Sequence, residues 1–236
     1  MRILTLLFAV FFAALFSTFS QNEKTILDEK GNNLEELIPE NWKLLESTKG
    51  DLNKDNIEDF VFIVQNTEAS NFIKNTSGLG EKEIDLNPRV IGIYFGTKNG
   101  EFIKELESDH FISLKDNPTM DEPLDGLEIS KKGVLNIDFR FWYSAGTWKV
   151  KLYTYKFRFQ NNEFKMIGYD SSIVRRNLGD FTNYSVNFLT NKMKITEGNY
   201  TEEADSETIQ WKKIKNEELV SLSSFKKPLD WTIKSL

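Results

Sequence analysis

The amino-acid sequence predicts a mostly β protein: antiparallel sheets arranged as a sandwich or as an incomplete propeller-like meander, with one or two short helices. Three observations carry that expectation. Apolar and aromatic residues alternate with polar ones through most of the chain, the periodicity of strands with one buried face. Asn-Gly and Asn-Asn pairs interrupt those runs where tight hairpins require positive φ. Helix signals are confined to two short segments, "NNLEELIP" (residues 32–39) and "NEELVSLSSF" (residues 216–225).

The elements follow in order along the chain. Met1-Arg2 and the apolar run Ile3–Phe16, followed by small residues before Gln21, have the build of a secretory signal peptide over residues 1–20. The rival reading, an uncleaved anchor, needs a longer apolar run, so no stable membrane span is expected after cleavage. Residues 21–236 then form a single β-rich domain. Asn33 is placed to cap a helix carrying Leu34, Leu37 and Ile38, which Pro39 stops. "FVFIV" (Phe60–Val64) reads as a short buried strand. "RVIGIYFGTKNGEFIKEL" is a hairpin around Asn99-Gly100. The run from Val134 to Asp170 reads as three successive strands turning near Ser144–Gly146 and Asn161-Asn162, and "YSVNFLTNKMKITEG" as a hairpin around Thr190–Lys192. Ser70–Arg89 and the Pro-containing "LKDNPTMDEPLDG" read as long surface loops.

Composition narrows the function classes. The chain has no cysteine, so the exported protein is held without disulfides, by its core and by any metal it binds. A formal net charge of −6 argues against nucleic acid as the main partner. No nucleophile elbow and no Gly-rich phosphate loop appears. His110 is the only histidine, which excludes a multi-histidine zinc centre. A Ser–His–Asp arrangement using His110, or a carboxylate pair of glycosidase type, stays open on counting alone.

The strongest local signal is "KGDLNKDNIEDFVFIV" (Lys49–Val64), which crowds Asp51, Asn53, Asp55 and Asp59 against the start of a strand. Mutual repulsion among three acids is costly unless a shared cation turns it into attraction. Hard cations such as Ca2+ take six to eight oxygens from carboxylates, amides and backbone carbonyls. Asp51, Asn53 and Asp55 have the alternate spacing of a loop wound around an ion. The Ile57 carbonyl supplies a backbone oxygen, and Asp59 closes the set. Asn56 sits where the chain must turn sharply and tolerates the left-handed conformation. The competing reading is a solvated Asx-rich turn with no ion. Phe62 stands at the twelfth position and a strand follows, so this is not an EF-hand. The segment Gly50–Val61 resembles the calcium loops of FG-GAP and VCBS-type repeats, in which the ion is structural and the loop joins two strands. Asn56 stands where that pattern has glycine, and no second copy is present. The whole chain also resembles a group of uncharacterised secreted bacterial proteins with a "GDxNxDxxxD" loop, an "NPR" strand start and an aromatic hairpin, a likeness that implies export and no particular activity.

A second candidate site lies in the aromatic hairpin. Leu135, Ile137, Phe139, Phe141 and Tyr143 share one face, and Asn136, Asp138, Arg140 and Trp142 the other. In the returning strand the apolar phase switches between Leu152 and Tyr153, which predicts a β-bulge there. The outward face would then gather Arg140, Trp142, Lys149, Lys151, Lys156 and Arg158, a cationic strip beside an indole, suited to an anionic glycan or a cell-envelope component. Such lysines also discourage edge pairing of exposed strands without binding anything. The expected function is therefore a secreted or periplasmic, calcium-stabilised, non-catalytic binding or envelope-associated protein. The alternative is a hydrolase acting on extracellular polysaccharide or peptide.

Overall fold

The computed structural model describes residues 26–201, 207–215 and 218–232. The signal-peptide segment lies outside them, as do the first two residues of the second predicted helical segment. Among the described residues no helix is long and apolar enough to cross a membrane.

The chain starts with β1 (Lys30–Gly31) and a single turn of helix, α1 (Leu34–Leu37). Asn33 caps that turn as expected, its Oδ1 accepting the Glu36 N–H at 3.0 Å. Then come β2 (Trp42–Gly50), β3 (Asp59–Asn66), a two-stranded ribbon of β4 (Phe72–Lys74) and β5 (Glu83–Asp85), β6 (Arg89–Gly96) and β7 (Phe102–Ser108). Strands β1, β7, β6, β3 and β2, in that order, make a five-stranded antiparallel sheet. The remaining strands are β8 (Leu124–Ile129), β9 (Val134–Phe141), β10 (Lys149–Gln160), β11 (Glu163–Arg175), β12 (Asp180–Asn187), β13 (Lys192–Asn199) and β14 (Thr208–Lys213). They pair strictly with their chain neighbours in a seven-stranded antiparallel meander that curls into a half-barrel.

The uninterrupted apolar run of β3 has a structural cause: both of its faces are covered. Val61 and Ile63 meet Ile137, Tyr155 and Phe157 of the large sheet in the main core. Phe60, Phe62 and Val64 point the other way, against Leu27 and Leu37 of the N-terminal segment. Burying each such side chain contributes about 1.5–3 kcal/mol. The predicted hairpins form where the turn residues place them. Gly100 closes the β6–β7 turn at φ +83°, Asn161 and Asn162 close β10–β11 at +53° and +59°, and Asn191 serves β12–β13 at +54°.

Three sequence expectations change. There is no bulge at Leu152-Tyr153: the register of β10 against β9 is continuous from Lys151 opposite Phe141 to Arg158 opposite Val134. The irregularity lies against β11, where Lys156 faces Gly168 and Phe157 faces Met166, so Ile167 is the extra residue. Leu152 has a half-buried place of its own on the outward face and needs no phase switch. Residues 70–89 are not featureless loop, because β4, β5 and the wholly buried Asn87 organise them. The Pro-containing loop also carries structure: Met120 is buried and bridged to Tyr143, and its last residues begin β8.

Candidate ligand cleft and candidate metal loop

With β10 unbulged, side chains two residues apart stay on one face along its length. Lys149 and Lys151 therefore share the inward face of Tyr153 and Tyr155, at the N-terminal end of β10. Arg140, Lys156 and Arg158 lie on the opposite face, Arg140 directly across from Leu152. The predicted strip is thus divided, and three of its members have other company. Arg140 pairs with Asp125 at 3.3 Å and Asp121 at 3.7 Å, and Lys156 with Asp170. Trp142 is half-buried, with the Arg176 guanidinium 4.8 Å from its ring centre.

Lys149 and Lys151 line a cleft of about 750 Å³ together with Phe141, Tyr143, Tyr153 and Lys227. Its walls come from the C-terminal end of β9, the start of β10, the loop through Ser113 and Asp116, and the segment around Pro228. Lys149, Lys151 and Lys227 are exposed and make no ion pair with any described residue, and Asp116 is the carboxylate in the cleft lining. A smaller concavity of about 470 Å³ adjoins it, sharing Lys149 and adding Arg175 together with Asp180 and Glu197. Lys149 and Arg175 stand directly opposite each other on β10 and β11. Like charges in that arrangement repel and cost stability. An anion lying across them reverses the sign of that contribution.

Two buried or half-buried arginines hold the cleft in shape. Arg89 is only 3% exposed. Its guanidinium binds both Glu122 carboxylate oxygens, at 2.6 and 2.9 Å, and donates to the Ser113 carbonyl at 2.8 Å. It thereby ties the cleft-lining loop to β6 by bidentate geometry that lysine cannot reproduce. Arg176 donates to the carbonyls of Tyr143 at 2.8 Å and Thr147 at 3.0 Å, closing the β9–β10 connection whose residues line the cleft.

The acidic loop between β2 and β3 has a different character. Asp51 Oδ1 accepts the Lys54 N–H at 2.7 Å and its Oδ2 the Asn56 N–H at 3.2 Å. Asn53 Oδ1 accepts from Asp55 N–H at 3.0 Å, and Asp55 Oδ1 from Ile57 N–H at 2.8 Å. Lys54 and Asn56 take positive φ, +69° and +65°, so Asn56 makes the left-handed turn expected of it. Asp59 is fully buried and faces the backbone: Oδ2 accepts from Leu52 N–H at 2.7 Å and more weakly from Asn53 N–H, and Oδ1 from Gly96 N–H at 3.0 Å. At the start of a buried strand a carboxylate needs donors at hand, and these three N–H groups meet that need. Desolvation raises the Asp59 pKa above the ordinary aspartate value, and the three N–H donors oppose that rise. Among the described residues no group of three or more His, Cys, Asp or Glu side chains converges tightly enough to hold a metal. Asp51, Asn53 and Asp55 remain around the turn, and carboxylate and amide oxygens with a spare lone pair are the donor type calcium takes.

The loop also joins the sheets. A Cβ at Gly96 would sit 2.2 Å from the Glu58 carbonyl oxygen, and one at Gly133, whose φ is +65°, would sit 2.6 Å from the Asp51 carbonyl oxygen. Only glycine lets both sheets approach the loop backbone so closely. Leu52, 1% exposed, reaches from the loop into the main core.

No protein-family model matches this chain, and neither curated proteins nor solved structures give a match. The reading of the site therefore rests on the residues themselves. His110 is half-exposed, pairs with its neighbour Asp109 at 3.1 Å, and lines none of the cavities described above. Arg89, Glu122, Arg176 and Lys227 were not singled out in the sequence. The "NPR" stretch that contains Arg89 was visible, but its partner Glu122 lies 33 positions away and only folding joins them.

Proposed function

We propose that this is an exported, non-catalytic binding protein, stabilised by one calcium ion in the loop of residues 51–59, that takes an acidic glycan in the cleft between the lysines of β10 and the C-terminal segment. The observation that carries the reading is the meeting of Lys149, Lys151 and Lys227 over Phe141, Tyr143 and Tyr153, with no ion pair to a carboxylate among the described residues, in a chain of net charge −6. Cations left unpaired in an acidic protein raise the local concentration of anions. The aromatic floor supplies flat apolar area against which a sugar ring packs. Lys149 stands opposite Arg175 at the edge of the cleft, and the adjoining concavity also holds Asp180 and Glu197, so the cationic surface that an acidic sugar would meet is the one inside the cleft. Calcium would be held by Asp51, Asn53, Asp55 and the Ile57 carbonyl, with Asp59 organising the loop from beneath and completing the set if its carboxylate turns. Asp116 is the one carboxylate among the described residues of the cleft lining, so the cations there outnumber the acids.

The experiment is retention on immobilised polygalacturonate compared with immobilised dextran. The wild-type chain is expected to bind the first in a salt-sensitive manner and to pass through the second. The pair Lys149→Glu, Lys151→Glu is expected to weaken binding by at least about tenfold while the melting temperature stays unchanged. Equal retention of the folded double variant would overturn the assignment.

A further inference from the structure

The outward face of the large sheet carries a groove of about 430 Å³ that the acidic-glycan reading does not use. Cross-strand register sets its lining in two rows. One runs from Leu152 through Ser172 and Asn183 to Thr196, and the other from Thr154 through Asp170 and Ser185 to Lys194. Four of these residues carry hydroxyls and one an amide, groups that donate and accept at the same site. Charge is muted here, in contrast to the cleft. Asp170 is paired with Lys156 and also accepts the Ser185 hydroxyl at 2.7 Å, leaving Lys194 as the groove's cation without a carboxylate partner among the described residues.

Two observations point to a ligand. The first is Asn183, whose Oδ1 is shut off from solvent and has no hydrogen-bond partner among the described residues. A buried acceptor left in that state is costly. Asn183 is among the residues that line the groove. The second is Trp211 on β14, directly opposite Lys194 and 66% exposed, with Ile209, 53% exposed, opposite Thr196. Direct cross-strand neighbours lie on one face about 5 Å apart. The indole therefore stands at the rim of the groove as a bare flat platform, on an edge strand where an exposed aromatic has no packing role.

We propose that this groove is a second binding site, for an uncharged oligosaccharide. The sugar stacks one ring on Trp211 while its hydroxyls exchange hydrogen bonds with Thr196, Asn183 and Ser185. A neutral polyol matches the lining because hydroxyls and amides satisfy one another in both directions, whereas an anion would find only Lys194. The site lies on the face opposite the cleft, so its failure and the failure of the acidic-glycan reading are separable.

The test is isothermal titration of the full exported chain with four neutral hexasaccharides (cello-, laminari-, malto- and mannohexaose), with tryptophan fluorescence as a second signal. At least one is expected to bind with a dissociation constant below about 1 mM and to perturb the fluorescence. Trp211→Ala is expected to weaken that binding by at least about tenfold, and so is Thr196→Tyr, which fills the groove without removing a buried group. Both variants should melt with the wild type, and Lys149→Glu, Lys151→Glu should leave the affinity unchanged. Silence of all four sugars, binding that survives Trp211→Ala, or binding lost in the cleft variant would each overturn the proposal.

Discussion

Strands β3 and β10 feed the same core and differ in what their second faces meet. In β3 every residue from Asp59 to Gln65 is buried, because the large sheet covers one face and the N-terminal segment with α1 covers the other. In β10 only Tyr155 and Phe157 are buried, while Lys149 and Lys151 stand free at one end and Lys156 and Arg158 are half-exposed on the outer side. The smaller sheet is committed to stability, and its buried charges are held by several hydrogen bonds each: Asp59 accepts from three backbone N–H groups, and the terminal nitrogens of Arg89 donate to Glu122 and the Ser113 carbonyl. The larger sheet has surface to spare on both sides, and there unpaired cations and an unused tryptophan persist. Side chains buried on both faces mark the scaffold, and the exposed cations and the exposed indole of the larger sheet mark the places where ligands are expected.

Breaking the scaffold should have the larger effects. Arg89→Ala strips the Ser113 carbonyl and the Glu122 carboxylate of their donor. Its cost is expected near 3 kcal/mol, with Glu122 partly rehydrated because its side chain is 48% exposed. Urea denaturation measures this, and a cost below about 0.5 kcal/mol would remove Arg89 from the scaffold. Calcium at about a hundredfold over its dissociation constant should stabilise the wild type by about 2.7 kcal/mol, seen as a melting shift that a chelator reverses. Asp51→Asn, Asp55→Asn should abolish that shift. An identical melt with calcium and with chelator would mean that the loop is only a set of Asx turns.

Asp59 sharpens the contrast, since it belongs to the scaffold and borders the loop. Asp59→Asn keeps the shape but leaves one N–H donor without an acceptor, a loss of about 1–3 kcal/mol. The sign of the pH dependence follows from the raised folded pKa. The folded state holds this proton more tightly than the unfolded chain does. The contribution is thus full below about pH 4 and is lost as pH rises through the folded value. In chelator, the stability gap between wild type and Asp59→Asn should therefore narrow as pH increases from 3.5 to 7. A widening gap would show that the three N–H donors outweigh desolvation.

The comparison of strands also explains which features were legible along the chain. Alternation, Asn-containing turns and the capping Asn33 act within a few residues, so the hairpins and the helix stand where local pattern places them. The turn at Asn56 was readable for the same reason. Other features depended on partners distant in the chain. "TIQWKK" became β14 although all six residues are exposed, because β13 supplies an edge to pair with. The direction of Asp59 was decided by Gly96, which lies 37 positions further on.

By itself, the sequence determined the β class, the hairpin turns, the acidic Asx-rich turn and the uneven placement of charge, since each depends on short-range sterics or on composition. Tertiary structure alone decided that β10 runs without a bulge, and so that Lys149 and Lys151 face inward with Lys227 while Lys156 and Arg158 face out. A strand of period two reverses every side chain with one inserted residue, and the location of that residue is set by packing against neighbouring strands. Here the insertion fell at Ile167 on β11.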